Sequence, residues 1–271
     1  MRLPAFAGVM LLTVLVPLSC AQPARPPAPW KPLFSGTSLD GWYTYIDGQG
    51  LDQDPQGVFT FRDGVLHVYP DAPPGVRVPF GYVATRQLYA EFHLRLEYRW
   101  GTKKFPPRQD RARDAGVVYG CSGPDRVWPE GVECQIQEGD TGDLWALRTF
   151  VETTVDPNVP APQARFLEAE AGGIVRTVGS LDKNTRVEKC CPNEIEGWNT
   201  VEVIVRGASS THIVNGKVLF RSLRMLRSDP EHPGQRVPIR RGKILLQAEG
   251  AEVFYRKVEI RELDPESASR D

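Results

Sequence analysis

The period of the hydrophobic pattern limits this fold more than any other feature. From Phe59 to Leu263, polar and apolar residues alternate in short runs, separated by turn dipeptides rather than helical stretches. In "AEFHLRLEYRW", the alternation predicts that Phe92, Leu94, Leu96, Tyr98 and Trp100 share one face, with Glu91, His93, Arg95, Glu97 and Arg99 on the other. Asp63-Gly64 and Asn215-Gly216 each sit between two such runs, a hairpin signal, since both residues of a tight hairpin turn need a positive φ. "AGVVYGC", "GVECQIQ", "GGIVRTVG" and "GKILLQAEGAEVFYRKVEIREL" supply further strands, whereas 151–163 and 224–238 read as loops. No strand–helix–strand rhythm appears. The expectation is an all-β, antiparallel sandwich or barrel.

The chain has 271 residues with 41% hydrophobic and 25% charged content, ordinary for a globular protein of one large β-domain. A formal net charge of −1 excludes a dedicated nucleic-acid binder, which needs a basic stripe. Arg2, the apolar run 5–18 and the small residues up to Ala21 have the layout of a secretory signal peptide, 1–21, too short in its apolar run for a membrane span. Cys20 after "PLS" comes near a bacterial lipoprotein signal, so a membrane enters only through a lipid on Cys20. Residues 22–29 read as a proline-rich linker, 30–264 as one domain and 265–271 as a disordered polar tail. The expected location is periplasmic or extracellular. Cys121, Cys134, Cys190 and Cys191 match no zinc spacing, and a bond between the neighbours Cys190 and Cys191 would be strained. Cys121 and Cys134 are expected close together on adjacent strands, because "SGPDRVWPEG" between them is rich in turn residues.

The stretch "VECQIQEGDTGDLW" carries most of the chemistry. Alternation puts Glu133, Gln135 and Gln137 on one face and Cys134 and Ile136 on the other. The strand then enters a glycine-punctuated loop with Glu138, Asp140 and Asp143, readable as a tight Asp-capped turn or as a divalent-metal loop. Gln247 and Glu249 of "LLQAEG" share a face in the same way. Carboxylates accept hydrogen bonds, and amides both donate and accept, which suits sugar hydroxyls. Trp42, Trp128 and Trp145 are candidate stacking platforms. Glu97 and Arg99 fit either a surface ion pair or a site margin, and His93 is a further catalytic candidate.

"LFSGTSLDGW", "FRDGVLHV", "GVECQIQEGDTGDLW", "EGWNTVEVIV", "HIVNGKVL" and "GKILLQAEGAEVFYRKVEI" occur in this order between residues 32 and 263. The ordered set resembles the 3-keto-disaccharide hydrolase-like domain family of exported bacterial proteins. The resemblance implies a concanavalin- or lectin-like jelly roll of two antiparallel sheets, a carbohydrate ligand, and action on sugars already oxidised to a ketone at carbon 3. It places Glu133 and Glu138 as candidate catalytic groups. Gln135, Gln137, Gln247, Glu249, Arg99, Glu97, Asp143 and Trp145 become candidate substrate contacts. No cofactor is assigned, and a divalent metal held by the carboxylates stays open, serving the same end as Arg99, which is to stabilise an enolate oxygen. Cleavage by elimination and by hydrolysis both remain open. The sequence departs from relatives at Ala115, where they often carry Ser, and at Gly120, where some carry His. That departure keeps a second reading alive: a non-catalytic carbohydrate-binding module of the same fold.

Overall fold

The computed structural model describes residues 28–264; the leader, most of the linker and the polar tail lie outside the described residues. Two antiparallel sheets pack face to face. The eight-stranded sheet runs, edge to edge, Thr185–Val187, Leu144–Leu147, Glu130–Gln137, Asp114–Ser122, Lys243–Ala248, Gly81–Thr85, Trp42–Ile46, Gly50–Leu51. The main path of the eleven-stranded sheet is Ile174–Gly179, Phe150–Val155, Lys217–Ser228, Ser209–Val214, Asn199–Arg206, Phe92–Lys104, Ala251–Glu262, Val65–Val68, Phe59–Arg62. Lys31–Pro32 and Arg236–Pro238 add to its flanks. The only helix among the described residues is a single 3₁₀ turn, Ala169–Ala171. No helix there is long and apolar enough to cross a membrane.

The alternation has its expected cause. Phe92, Leu94, Leu96 and Tyr98 are at most 2% exposed and meet Val117, Tyr119, Val132, Cys134, Ile136, Leu144 and Leu246 of the opposite sheet. Each such side chain contributes about 1.5–3 kcal/mol on burial. Both Asx-Gly turns form as two-residue hairpins: Arg62 pairs with Val65 across Asp63-Gly64, and Val214 with Lys217 across Asn215-Gly216. All four turn residues have positive φ. Two expected loops are partly strand. Phe150–Val155 is the start of the first, with Val151 and Val155 fully buried. In the second, Lys217–Ser228 continues to residue 228, and 236–238 pairs back onto it. Proline and acidic residues nearby hid the apolar positions of these strands.

Cys121 and Cys134 lie on adjacent strands, as expected, yet face opposite ways. The register shifts between Tyr119 and Ser122, and this bulge reverses the parity of the strand after Tyr119. Cys134 therefore joins the core, Cys121 the outer face, and both are free thiols.

Candidate functional site

The outer face of the eight-stranded sheet carries two adjoining patches. The first is polar. Glu133 and Gln135 project from the Glu130–Gln137 strand, and Gly116 sits opposite Gln135 on the neighbouring strand. Gln247 comes from the strand beyond, with Asp114 and Glu249 at the same end of the patch. Gly116 is the floor of this patch, because a methyl group there would collide with both the Glu133 carboxyl and the Gln247 amide oxygen. Two side chains from strands on either side of Gly116 thus converge over it. This also explains why Ala115 removes nothing from the site: it points into the core.

Arg108, in the loop before Asp114, reaches back over the patch. Its guanidinium hydrogen-bonds Asp114 and donates from Nη1 to Glu249 Oε2 at 3.1 Å. Burial raises the Asp114 carboxyl to about 6 against the opposing pull of Arg108. Burial, then the nearby Asp114 charge, drives Glu133 well above the ordinary carboxylate range, with a Gln247 hydrogen bond acting the other way. Glu249 is raised for the same reasons, burial first, then Asp114 and Glu133. Three carboxyl groups share one guanidinium here, so they cannot all be ionised without penalty. Asp114 Oδ1, Gln135 Oε1 and Gln247 Oε1 are buried without a hydrogen-bond partner. Orphaned acceptors cost about 1–3 kcal/mol each unless a bound hydroxyl or water satisfies them.

The second patch is aromatic. Trp145 stands directly opposite Glu133, and Tyr82 directly opposite Gln247. Tyr45 stacks on Tyr82 at 5.3 Å, and Phe80 on Trp128 at 6.1 Å. Asp125 accepts from the hydroxyls of Tyr43 and Tyr82 at 2.5 and 2.8 Å, which fixes both rings.

The structure brings together Glu133, Gln135, Gln247, Glu249 and Trp145 among the expected residues, with Glu133 and Gln135 each only 5% exposed. Gln137 lies at the strand end, half-buried, bonded to Asp140 at 3.4 Å. Glu138 stands apart, bound by Arg113 at 2.7 Å. That bond holds its carboxyl below the usual range, unlike the cluster. Arg99 and Glu97 lie on the eleven-stranded sheet. Glu97 binds Arg256 and Lys257 at 2.6 and 2.7 Å, and Arg99 covers the rings of Trp198 and Phe254. Arg99 and Glu138 help line a separate cavity of about 730 Å³ with Trp100 and Glu194; none of the carboxyl cluster lines it. Asp143 is fully buried and bound to Lys189 at 3.1 Å and Arg186 at 2.5 Å, while Arg186 also holds Asp140 at 3.0 Å. Side-chain cations therefore neutralise the loop read as a metal site. Among the described residues no group of three or more His, Cys, Asp and Glu is placed to hold a metal ion. Trp42 is a core residue, and His93 is tied to Glu202 at 2.6 Å on the eleven-stranded sheet.

Arg108 was not legible in the sequence, since its loop has no period to aim it. Asp114 was legible only as a retained position, with Gly116, of the Asp/Asn-Ser-Gly pattern that relatives carry, and was not assigned to the site.

A family-level comparison matches residues 29–261 to the 3-keto-alpha-glucoside-1,2-lyase-like domain. The chain belongs to this family. It is the family that the ordered motifs resemble, and membership ties the chain to carbohydrate chemistry. A search of curated proteins found no match. Among solved structures, a candidate glycosyl hydrolase from Parabacteroides distasonis is 19% identical, with a TM-score of 0.50 over 87% of this chain and 94% of that one. A second from the same organism is 16% identical at a TM-score of 0.49, over 87% and 100%. The carbohydrate-binding module CBM66 from Bacillus subtilis is 9% identical at 0.42, over 82% and 96%. At such identities the first of these speaks for the shared fold alone.

Proposed function

We propose that this protein cleaves 3-keto-glycosides at the polar patch over Gly116, with Glu133 as the proton-abstracting base. The observation that carries the reading is the pairing of Asp114 and Glu249 with one guanidinium, with Glu133 within its electrostatic reach and orphaned buried acceptors beside it. A ketone at C3 acidifies the hydrogen on C2 and leaves the glycosidic oxygen on C1 β to the carbonyl. Glu133 takes the C2 proton, and the C–H electron pair flows toward the C3 oxygen as an enolate. Arg108 supplies the positive charge that stabilises this oxygen, the role first expected of Arg99. The enolate then re-forms the ketone, makes the C1–C2 double bond and expels the oxygen on C1. A protonated carboxyl, Asp114 or Glu249, delivers the proton that the leaving oxygen needs. Water added across C1–C2 converts elimination into net hydrolysis. Burial holds all three carboxyls above the ordinary carboxylate range, Asp114 at about 6, which favours groups that hold and pass on a proton. The partly exposed rings of Trp145 and Tyr45, the latter backed by the buried Tyr82, form the surface on which a sugar ring or leaving group stacks.

The reading extends to location. The leader exports the protein, released by cleavage after Ala21; the alternative, cleavage before Cys20 with a lipid on that residue, is the only route to a membrane surface that this leader offers. N-terminal sequencing from cells should begin near Gln22, or show a lipid on Cys20; an intact Met1 contradicts export.

Replacing Glu133 by Gln keeps shape and removes the proton carrier. Turnover of a 3-keto-glucoside should fall by roughly 10²–10⁴ with the fold retained. In heavy water, wild type should also exchange the C2 hydrogen for deuterium, and the variant should not. Wild-type protein that binds the ketone and returns it unchanged and unlabelled would instead be a binding module.

A further inference from the structure

Away from the carboxyl patch, the strap between Thr185–Val187 and Asn199–Arg206 carries two adjacent thiols. Cys190 Sγ and Cys191 Sγ stand 2.9 Å apart, Cys190 exposed and Cys191 half-buried. The backbone on both sides is fixed. The Lys189 N–H donates to Asp143 Oδ1 at 3.0 Å, and its ammonium donates to Gly139 O at 3.0 Å. The Cys190 N–H donates to Leu219 O at 3.1 Å. Asn193 donates to Val214 O and accepts, through its carbonyl, from Asn215, each at 2.8 Å. Lys217, on the hairpin below, brings its ammonium charge to Cys191. The other two thiols, Cys121 and Cys134, are fully enclosed and lie on strands remote in sequence.

We propose that Cys190 and Cys191 form a reversible oxidation site, closed to a vicinal disulfide by exchange with a small-molecule or protein disulfide. The geometry supplies both needs of exchange: an accessible sulfur held near a cation, and a second sulfur within reach of the first. The two thiols also differ. Burial raises the Cys191 thiol, but the hydrogen bond from Cys190 and the charge of Lys217 outweigh it and hold that thiol below its ordinary range. Burial and the hydrogen bond to Cys191 push Cys190 up to about 11. Cys191 is therefore the attacking thiolate and Cys190 the resolving thiol. Cys191 Sγ attacks one sulfur of the oxidant, whose S–S bond breaks and releases one thiol. Cys190 then loses its proton, bonds to Cys191 Sγ, and displaces the second thiol. Two cysteines are oxidised and one disulfide is reduced to two thiols. A bond between neighbours is strained, so it should open again under a mild dithiol.

The test uses the full native chain with oxidised glutathione, followed by alkylation and peptide mapping by mass spectrometry. Wild type should lose two hydrogens in the 190–191 peptide alone, carry no lasting glutathione, and regain both thiols with dithiothreitol. Cys190→Ser should trap a glutathione adduct on Cys191. Cys191→Ser should react at least ten-fold more slowly near neutral pH, because the remaining thiol is the poorly ionised one. Lys217→Met should slow the wild-type reaction. Thiols that stay free, or a wild-type glutathione adduct that never resolves, would overturn the site. Equal rates for the two serine variants would overturn the assigned order of attack.

Discussion

Glu133 is held where a carboxylate is poorly accommodated: enclosed, near Asp114 and Glu249, with one guanidinium serving all three. The same arrangement that underlies the proposed proton transfer weakens the fold. In the unfolded chain its pKa is ordinary, near 4.3. In the folded chain it is raised, so the native state binds more protons, and stability falls as pH rises through the window between the two values. Glu133→Gln removes this linkage. Relative to wild type, the variant should be equally stable near pH 4, gain stability as pH climbs above that, and hold a constant advantage once the pH exceeds the folded value. Thermal melts across pH 4–9 measure this directly. A difference that does not change with pH would mean that Glu133 is not electrostatically strained. The same variant is expected to lose turnover, so one substitution should move activity and stability in opposite directions.

Strand pairing decides which side chains meet. Gly116 lies between the strands bearing Glu133 and Gln247, and its missing side chain lets them converge. Its φ is outside the left-handed region, so alanine is acceptable to the backbone. Gly116→Ala should therefore cut turnover at least ten-fold, by pushing the Glu133 carboxyl and Gln247 amide aside, while the melting temperature moves by only a few degrees. Retained turnover would mean that the two side chains need not converge. Alternation in the sequence was enough to place Glu133, Gln135 and Gln247 on outward faces and Cys134 and Ile136 inward. It could not say which sheet a strand joins. Glu97 and Arg99 alternate as cleanly as Glu133 and Gln135, yet their strand belongs to the other sheet. Nor could it see the bulge that turns Cys121 outward, or the loop that returns Arg108 over Asp114. Period is a local property, whereas sheet membership and loop return are set by contacts between residues far apart in the chain.

The two sheets divide the labour, and that division can be tested. Arg99 was the partner expected for an enolate, but it stacks on Trp198 and on Phe254 of the eleven-stranded sheet, while Arg108 binds Asp114 and Glu249. Arg108→Met should lower kcat/KM by at least 10²-fold, in the range seen when one transition-state donor is removed. Arg99→Ala should stay within about two-fold of wild type, as expected of a side chain remote from the reacting atoms. Comparable losses in both variants would place the chemistry elsewhere.

Between the sheets lies a polar bridge with a pH dependence opposite to that of Glu133. His212, from the eleven-stranded sheet, meets the Tyr119 hydroxyl of the other sheet at 2.7 Å through Nε2. Its Nδ1, assigned as the protonated nitrogen, donates to Gly142 O at 3.2 Å. Burial lowers its pKa to about 4, so the native ring is neutral at all but acidic pH. The unfolded ring has a pKa near 6.5 and takes up a proton first. Between these values the unfolded chain binds more protons, so stability rises with pH and is lost as pH falls from about 6.5 toward about 4. The full loss is on the order of 3 kcal/mol, from about 1.4 kcal/mol per pKa unit. His212→Gln keeps a polar side chain without this titration. The variant should be less stable than wild type at pH 7.5, because it forfeits the Tyr119 and Gly142 bonds, but its disadvantage should shrink by that amount as the pH is lowered to 4. Urea titrations of both proteins at matched pH values give the comparison. A gap between them that stays constant over this range would show that the ring between the sheets is protonated as readily folded as unfolded.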